Sequence, residues 1–182
     1  MTSATYRQFG KDETVYSAIV PSPLGFMLVA ATKKGLCRLV LGNDRQALET
    51  LRQQEFAQAD LQRANPQLQD WIQAILDYLN GKQTLPAFPY DLQGTAFQTQ
   101  VWQALQQIPL GATVSYSEVA TVVNNIKAVR AVANACGANP VALAIPCHRV
   151  VRQSGELGGY RWGLDRKQAL LKLEANYLQK NS

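Results

Sequence analysis

The 182 residues contain one histidine, His148, and three cysteines, Cys37, Cys136 and Cys147. Without a Cys-x-x-Cys pair or a second imidazole, a zinc finger or other nitrogen–sulfur metal site has too few ligands to form, so no metal is expected. An odd number of widely spaced thiols also argues against a disulfide framework, and places the chain in a reducing compartment, the cytoplasm. Long apolar runs are missing as well. The longest, residues 26–31 and 141–146, fall far short of the roughly 20 residues that span a bilayer. Residues 1–8 carry no apolar stretch of the secretory kind, so neither a signal peptide nor a membrane partner is expected.

Acidic residues are scarce in one half of the chain only. Residues 1–94 hold nine Lys or Arg against nine Asp or Glu. Residues 95–182 hold nine Lys or Arg against Glu118, Glu156, Asp165 and Glu174, so the whole net charge of +5 lies there. A basic half beside a neutral half points to an anionic partner, nucleic acid first.

Periodicity predicts an α+β protein of two domains, 1–88 and 89–182. In the first, short β-branched or apolar runs at 15–20, 26–31 and 36–41 are separated by turn chemistry at 21–25 and 33–35, which reads as a small antiparallel meander. Helices follow, one opened by Asp44 and running to about Phe56, the other from Pro66 to Asn80 with Leu68, Ile72, Ile75 and Tyr78 on one face. Residues 82–94, rich in Pro and Gly and without periodicity, read as a linker. The second domain reads as mostly helical and winged helix-turn-helix-like. Thr95 and Gln98 form one capping box, Ser115 and Glu118 another. A polar corner at Asn124 and Asn125 leads into a third helix over 126–136. Its only charges are Lys127 and Arg130; the remainder is small, with Ala128, Ala131, Ala133 and Ala135. Helices that read major-groove base edges carry more polar side chains than this. A close approach to a backbone or narrow groove, or a packing face of small residues, would both suit it. From 139 to 147 the chain reads as extended and buried, and a last helix follows, capped by Asp165.

The one histidine directly follows a cysteine, in the run Ile145-Pro146-Cys147-His148-Arg149-Val150. A thiol is a poor nucleophile while protonated, and an imidazole within reach can accept its proton. Consecutive residues of an extended chain point to opposite faces, so the pair needs a bend or a bridging water to cooperate.

The run from Ile145 to Val151 resembles the active-site signature of the O6-alkylguanine-DNA alkyltransferase family, also called methylated-DNA–protein-cysteine methyltransferases. The likeness continues through Gly94-Thr-Ala-Phe-Gln, Gln100-Val-Trp-Gln-Ala-Leu, Ile108-Pro-Leu-Gly, Val114-Ser-Tyr, Lys127-Ala-Val-Arg-Ala-Val and Gly159-Tyr-Arg-Trp-Gly. It covers residues 94–175 densely, and its last fragment is similar to the bacterial branch, Ogt and the C-terminal half of Ada. The first half resembles the family's ribonuclease H-like domain in its order of elements.

The resemblance implies direct-reversal repair: one transfer of an alkyl group from O6 of guanine, or O4 of thymine, in DNA to the protein's own cysteine, without cofactor. It implies Cys147 as acceptor, His148 as its base, Glu174 as the group that orients His148, Asn139 as the brace of the active-site turn and Tyr116 as proton donor to the leaving purine. It further implies that the lesion is flipped out of a duplex, with Arg130 filling the gap from the minor groove. Lys127, Ser115, Tyr116, Ala128 and Ala131 would lie on the DNA, and Tyr160, Val150 and Arg161 around the base pocket. A monomer is expected. Two departures stand out: the corner reads Asn124-Asn125-Ile126 where the family usually has Gly and Pro, and the metal-binding cysteines of full-length Ada are absent. The competing readings are a lesion-binding module without catalysis, which would lack the cysteine, and a Cys–His hydrolase, which would turn over.

Overall fold

The structure, a computed structural model, describes residues 12–182, so the reading of residues 1–8 lies outside the described residues. The chain divides into two compact units, residues 1–93 and 94–182.

In the first unit, alternation decides which face is buried. Strand β1 (Thr14–Ser22) points Val15, Ser17 and Ile19 inward, as a half-solvated antiparallel strand should. β2 (Gly25–Ala31) and β3 (Leu36–Gly42) are buried on both faces over most of their length, which their near-continuous apolar runs require. The three form the expected meander. A fourth strand, β4 (Asp60–Arg63), pairs parallel to β1, so the sheet has the order β3-β2-β1-β4 and is mixed. Its sequence, Asp-Leu-Gln-Arg, is polar and mostly exposed; an edge strand with one apolar residue leaves no alternation to read.

Helix α1 (Arg45–Glu55) is capped by Asp44, whose carboxylate accepts the Gln46 N–H at 2.9 Å, and α2 (Pro66–Leu79) by Asn65, which accepts the Leu68 N–H at 2.9 Å with Pro66 in the first turn. Caps of this kind contribute about 1 kcal/mol each. Arg38, almost wholly enclosed, pairs through Nε and Nη2 with the two carboxylate oxygens of Glu55 at the end of α1. The Pro-rich stretch after α2 is stitched at its end to β3: Leu36 N–H donates to Pro89 O at 2.8 Å and Asp91 N–H to Leu36 O at 3.0 Å. Gly35 permits that approach, since a Cβ there would lie 2.3 Å from the Pro89 carbonyl oxygen. Residues 88–91 therefore pack with the first unit.

The second unit opens with α3 (Ala96–Leu105) and α4 (Tyr116–Val122). Both carry the complete reciprocal capping boxes that their sequences announce, Thr95 with Gln98 and Ser115 with Glu118. Asn124 takes φ 56° at the corner. Asn tolerates this left-handed conformation better than most residues, so it supplies the turn for which the resembling sequences use glycine. The next helix begins later than expected: residues Ile126–Ala128 form a 3₁₀ turn and α5 proper is Val129–Gly137. Val132, Ala135 and Cys136 face inward, and the Trp102 indole N–H donates to Ala135 O at 2.9 Å, tying α3 to α5.

Two expectations need correction here. Residues 139–147 are buried but not extended. Ile145 N–H bonds Val141 O, Ala144 N–H bonds Ala142 O, and Leu143 sits at φ 68°. Asn139 and two prolines bracket the segment, and local turns replace a strand. The last helix, α6 (Leu164–Lys180), is capped by Gly163, not Asp165. Asp165 lies in its first turn, where a carboxylate favours the helix dipole. Between them, β5 (Val114–Ser115) and β6 (Val150–Val151) pair in parallel beside the helix-turn-helix.

Candidate active site

Cys147 opens a 3₁₀ turn, Cys147–Arg149, entered from Pro146. This turn is the bend that the Cys–His dipeptide needs. Cys147 is 4% exposed and His148 is fully buried. The Asn139 side chain, also fully buried, organises the approach. Its carbonyl accepts the Val141 N–H at 3.0 Å, and its amide donates to Ile145 O at 2.8 Å and to Cys147 Sγ at 3.2 Å. Asn139 therefore braces the turn and touches the thiol as well.

Burial pushes the Cys147 thiol up to about 11, against the pull of the Asn139 hydrogen bond and of the Lys167 charge. At neutral pH the resting sulfur keeps its proton.

A base stands next in the chain. His148 Nε2 is 2.8 Å from Glu174 Oε1. Burial holds its pKa below the usual 6.5, outweighing Glu174. Arg149 occupies the same carboxylate, through Nε at 3.0 Å from Oε2 and Nη2 at 2.8 Å from Oε1, and its Nη1 donates to Ile108 O at 2.6 Å. The Gly111 N–H also donates to Glu174 Oε2, at 3.1 Å. With its charge met by Arg149, Glu174 leaves His148 neutral. A carboxylate only accepts, so Nε2 must carry the imidazole hydrogen and Nδ1 must present a lone pair. Nδ1 is buried and has no hydrogen-bond partner in the protein. An oriented base nitrogen is the result.

Two residues of this network carried no role in the sequence reading. Arg149 lies within the signature run and is half-buried. Lys167 is fully buried, and its ammonium donates to Val150 O at 2.6 Å, to Leu157 O and to Gly159 O at 3.3 Å. Taking an ammonium out of water costs several kcal/mol, but three bonds from a charged donor at roughly 1.5–3 kcal/mol each offset that. A signal for it did exist: Lys167, Leu170 and Glu174 share the spacing of one helical face, so a lysine stands in a buried stripe.

The remaining expected residues fall into two groups. Tyr116, at the start of α4, points its hydroxyl at Gly159 O, 3.5 Å away, and burial raises its pKa to about 12. Tyr160 packs edge-on against Trp162 with centroids 5.2 Å apart, and the exposed Arg161 guanidinium lies over the Trp162 ring. Val150 is buried, with its carbonyl held by Lys167. These residues gather around the 150–162 segment. The second group lies along the 3₁₀ turn and α5, where Lys127, Arg130 and Ala131 are exposed and Ala128 half-exposed. Ser115 is different: it is buried, and its hydroxyl is engaged by the Glu118 N–H and by Ser117 Oγ, so it serves as a helix cap. Among the described residues there is no cluster of three His, Cys, Asp or Glu side chains able to hold a metal, and no helix long and apolar enough to cross a membrane.

A buried thiol next in the chain to an oriented imidazole, in a unit that carries an exposed basic helix-turn-helix, is what a cysteine-nucleophile protein of the nucleic-acid-binding class would carry. Known proteins narrow this. Residues 15–92 match the ribonuclease-like domain, and residues 96–176 the DNA binding domain, of 6-O-methylguanine DNA methyltransferase. The chain is 46% identical over 175 residues to the Escherichia coli bifunctional transcriptional activator/DNA repair enzyme Ada, covering 96% of this chain and 49% of Ada. It is 41% identical over 149 residues to the inducible methylated-DNA–protein-cysteine methyltransferase of Bacillus subtilis, covering 80% of this chain and 82% of that one. The crystal structure of Mycobacterium tuberculosis OGT in complex with DNA has a TM-score of 0.74 at 33% identity, covering 90% of this chain and 94% of that one. The chain belongs to the methylated-DNA–protein-cysteine methyltransferase family. It spans about half the length of the Ada proteins it matches.

Proposed function

We propose that this chain repairs DNA by direct reversal, moving one alkyl group from O6 of guanine, or O4 of thymine, in a duplex to Cys147 Sγ, once per molecule. The observation that carries the reading is the contact of Asn139 with Cys147 Sγ beside the His148–Glu174–Arg149 network, within a helix-turn-helix unit. In the transfer the Sγ–carbon bond forms as the carbon–O6 bond breaks. The thiol proton passes to His148 Nδ1, directly or through a water, and the departing guanine takes a proton from the Tyr116 hydroxyl. The proton taken by His148 then returns through solvent to the Tyr116 phenolate, so that protons and charge balance and the products are a thioether and an unmodified base. No cofactor or metal enters the scheme. A thioether is inert to the acid–base groups around it, so the chain acts stoichiometrically.

The lesion must leave the base stack to reach a buried sulfur, and extrusion costs a few kcal/mol. In this reading Arg130 enters the minor groove and fills the gap, while Ala128 and Ala131 let the helix approach closely and Lys127 meets phosphate. Tyr160, Val150 and Arg161 frame the extruded base. In this reading the protein works as a monomer in the cytoplasm, and its three free, buried cysteines fit a reducing compartment.

Mass spectrometry after incubation with a duplex holding O6-methylguanine tests the reading. The expected result is one methyl per chain, mapped to Cys147, in stoichiometric and not catalytic amount. No gain, or continued turnover, would overturn it.

A further inference from the structure

Among the described residues, three of the five large apolar side chains that remain exposed fall in one short stretch, the other two being Leu164 and Leu178 on α6. Val122 is 66% exposed, Ile126 72% and Val129 38%, and all three lie within eight residues at the corner between α4 and α5. Single exposed aliphatics are ordinary on a protein surface, but a cluster marks a contact surface. The corner itself is held by the backbone: Asn125 N–H donates to Ala120 O and Ala128 N–H to Asn125 O, both at 2.9 Å. Its apolar side chains are thus presented on a fixed scaffold.

Charge identifies what the cluster faces. From Val119 to Gly155 the sequence has no Asp or Glu, while Lys127 and Arg130 stand among the three apolar residues. Glu118, one turn before Val122 on α4, turns its carboxylate to the Ser115 N–H, and the charges next to Ile126 and Val129 are the cations Lys127 and Arg130. An apolar strip so flanked complements a surface that is apolar along its middle and anionic along its rims. The groove of a duplex has that form, with deoxyribose C–H edges between two rows of phosphates. The patch is also continuous with Arg130 and Ala131, the residues assigned above to the DNA.

We propose that Val122, Ile126 and Val129 pack against the deoxyribose walls of the duplex groove and supply a salt-independent share of this chain's DNA affinity. The inference rests on the repair function proposed above and adds to it a contact that does not work through charge. Ile126 stands where the resembling sequences usually carry a glycine–proline corner, which makes the patch a property of this chain.

The test is fluorescence anisotropy of the full chain on a labelled duplex across a range of salt, comparing Ile126→Ser, Val122→Ser and Lys127→Ala with the unmodified protein. Phosphate contacts release counterions, so each one adds about 0.9 to the slope of log affinity against log salt. A sugar contact adds nothing to it. Ile126→Ser is expected to weaken binding by roughly five- to tenfold, the scale of one partly buried aliphatic side chain, and by the same factor at every salt concentration. Lys127→Ala should flatten the slope. Unchanged affinity in both serine variants, or a loss that fades as salt rises, overturns the proposal. So does a change of oligomeric state in sedimentation with DNA affinity intact, which would make the patch a protein interface. Unfolding midpoints equal to that of the unmodified chain confirm that the exposed substitutions leave the fold intact. Failure of the unmodified chain to bind any duplex removes the repair function itself, and is seen before any variant is compared.

Discussion

Lys167 and Glu174 stand two turns apart on the same buried face of α6. One holds the carbonyls of Val150, Leu157 and Gly159, and the other holds His148 and Arg149. The segment expected to frame the extruded base and the imidazole proposed to take the thiol proton are therefore indexed to a single rigid helix. Lys167→Met should expose the consequence. It leaves three carbonyls without their donor at about 1–3 kcal/mol for each buried group. A clear drop in the urea midpoint is expected, together with slower alkylation of Cys147, whose thiolate loses a nearby cation. A variant as stable and as reactive as the parent would show that the ammonium is incidental.

Cys147→Ser should abolish alkyl transfer while lesion binding persists, because the hydroxyl has nearly the same shape but a far higher pKa. Cys37 and Cys136 are buried, and desolvation raises both thiols. Their serine variants should keep activity. Peptide mapping of the alkylated protein decides the point, and methyl found on Cys136 would move the site.

His148 and Glu174 should behave as one unit. Replacing either is expected to slow transfer by roughly 10²–10⁴-fold, the range for a lost general base. The double replacement should cost little more, since residues of one network are not additive. Single-turnover rates for His148→Gln, Glu174→Gln and the double variant form the cycle. Full additivity would mean that the two act separately.

Arg130→Ala should slow repair in a duplex far more than reaction with free O6-benzylguanine. Only the duplex reaction includes extrusion, which an inserted side chain helps offset. Equal losses in the two assays would place Arg130 in the fold or pocket instead.

Stability should form a plateau in pH. Burial lowers His148 below 6.5, so its contribution is complete above 6.5 and is lost as pH falls, when the unfolded chain gains the proton first. Cys147, Cys37 and Cys136 are all raised from 9.0. Their contribution is complete below 9 and declines as pH climbs through about 11, where folded Cys147 ionises. Because the chain has one histidine, loss between pH 7 and 5 that disappears in His148→Gln is assigned without ambiguity. A midpoint that rises between pH 9 and 11 would contradict the buried, protonated thiols.

Legibility in the sequence followed the range of the forces involved. The capping boxes at Thr95 and Ser115 are local, reciprocal bonds between residues three apart, and both appear as read. The meander was visible because β2 and β3 are apolar but for Arg38 and are bounded by turns. Strand β4 was not, since Leu61 alone carries its apolar character and its pairing with β1 depends on a partner 46 residues away. The segment 139–147 was legible as buried but not as turned, because the Asn139 side chain, and not an apolar period, shapes it. In the site, Cys147, His148 and Asn139 could be taken from the signature, whereas Lys167 acquires meaning only through carbonyls brought to it by folding.

The contacts around Glu174 have a further consequence for timing. Arg149, the Gly111 N–H and His148 fix both of its oxygens in place before any substrate arrives. In the proposed transfer, the counter-charge that His148 needs on taking up the thiol proton already points at it, and no dipole has to rotate to meet it. Water in the same position would have to reorient, and that reorganisation is the part of a charge-transfer barrier that a folded protein can remove in advance. If the chain reacts once, as proposed, the orientation is set during folding and used a single time.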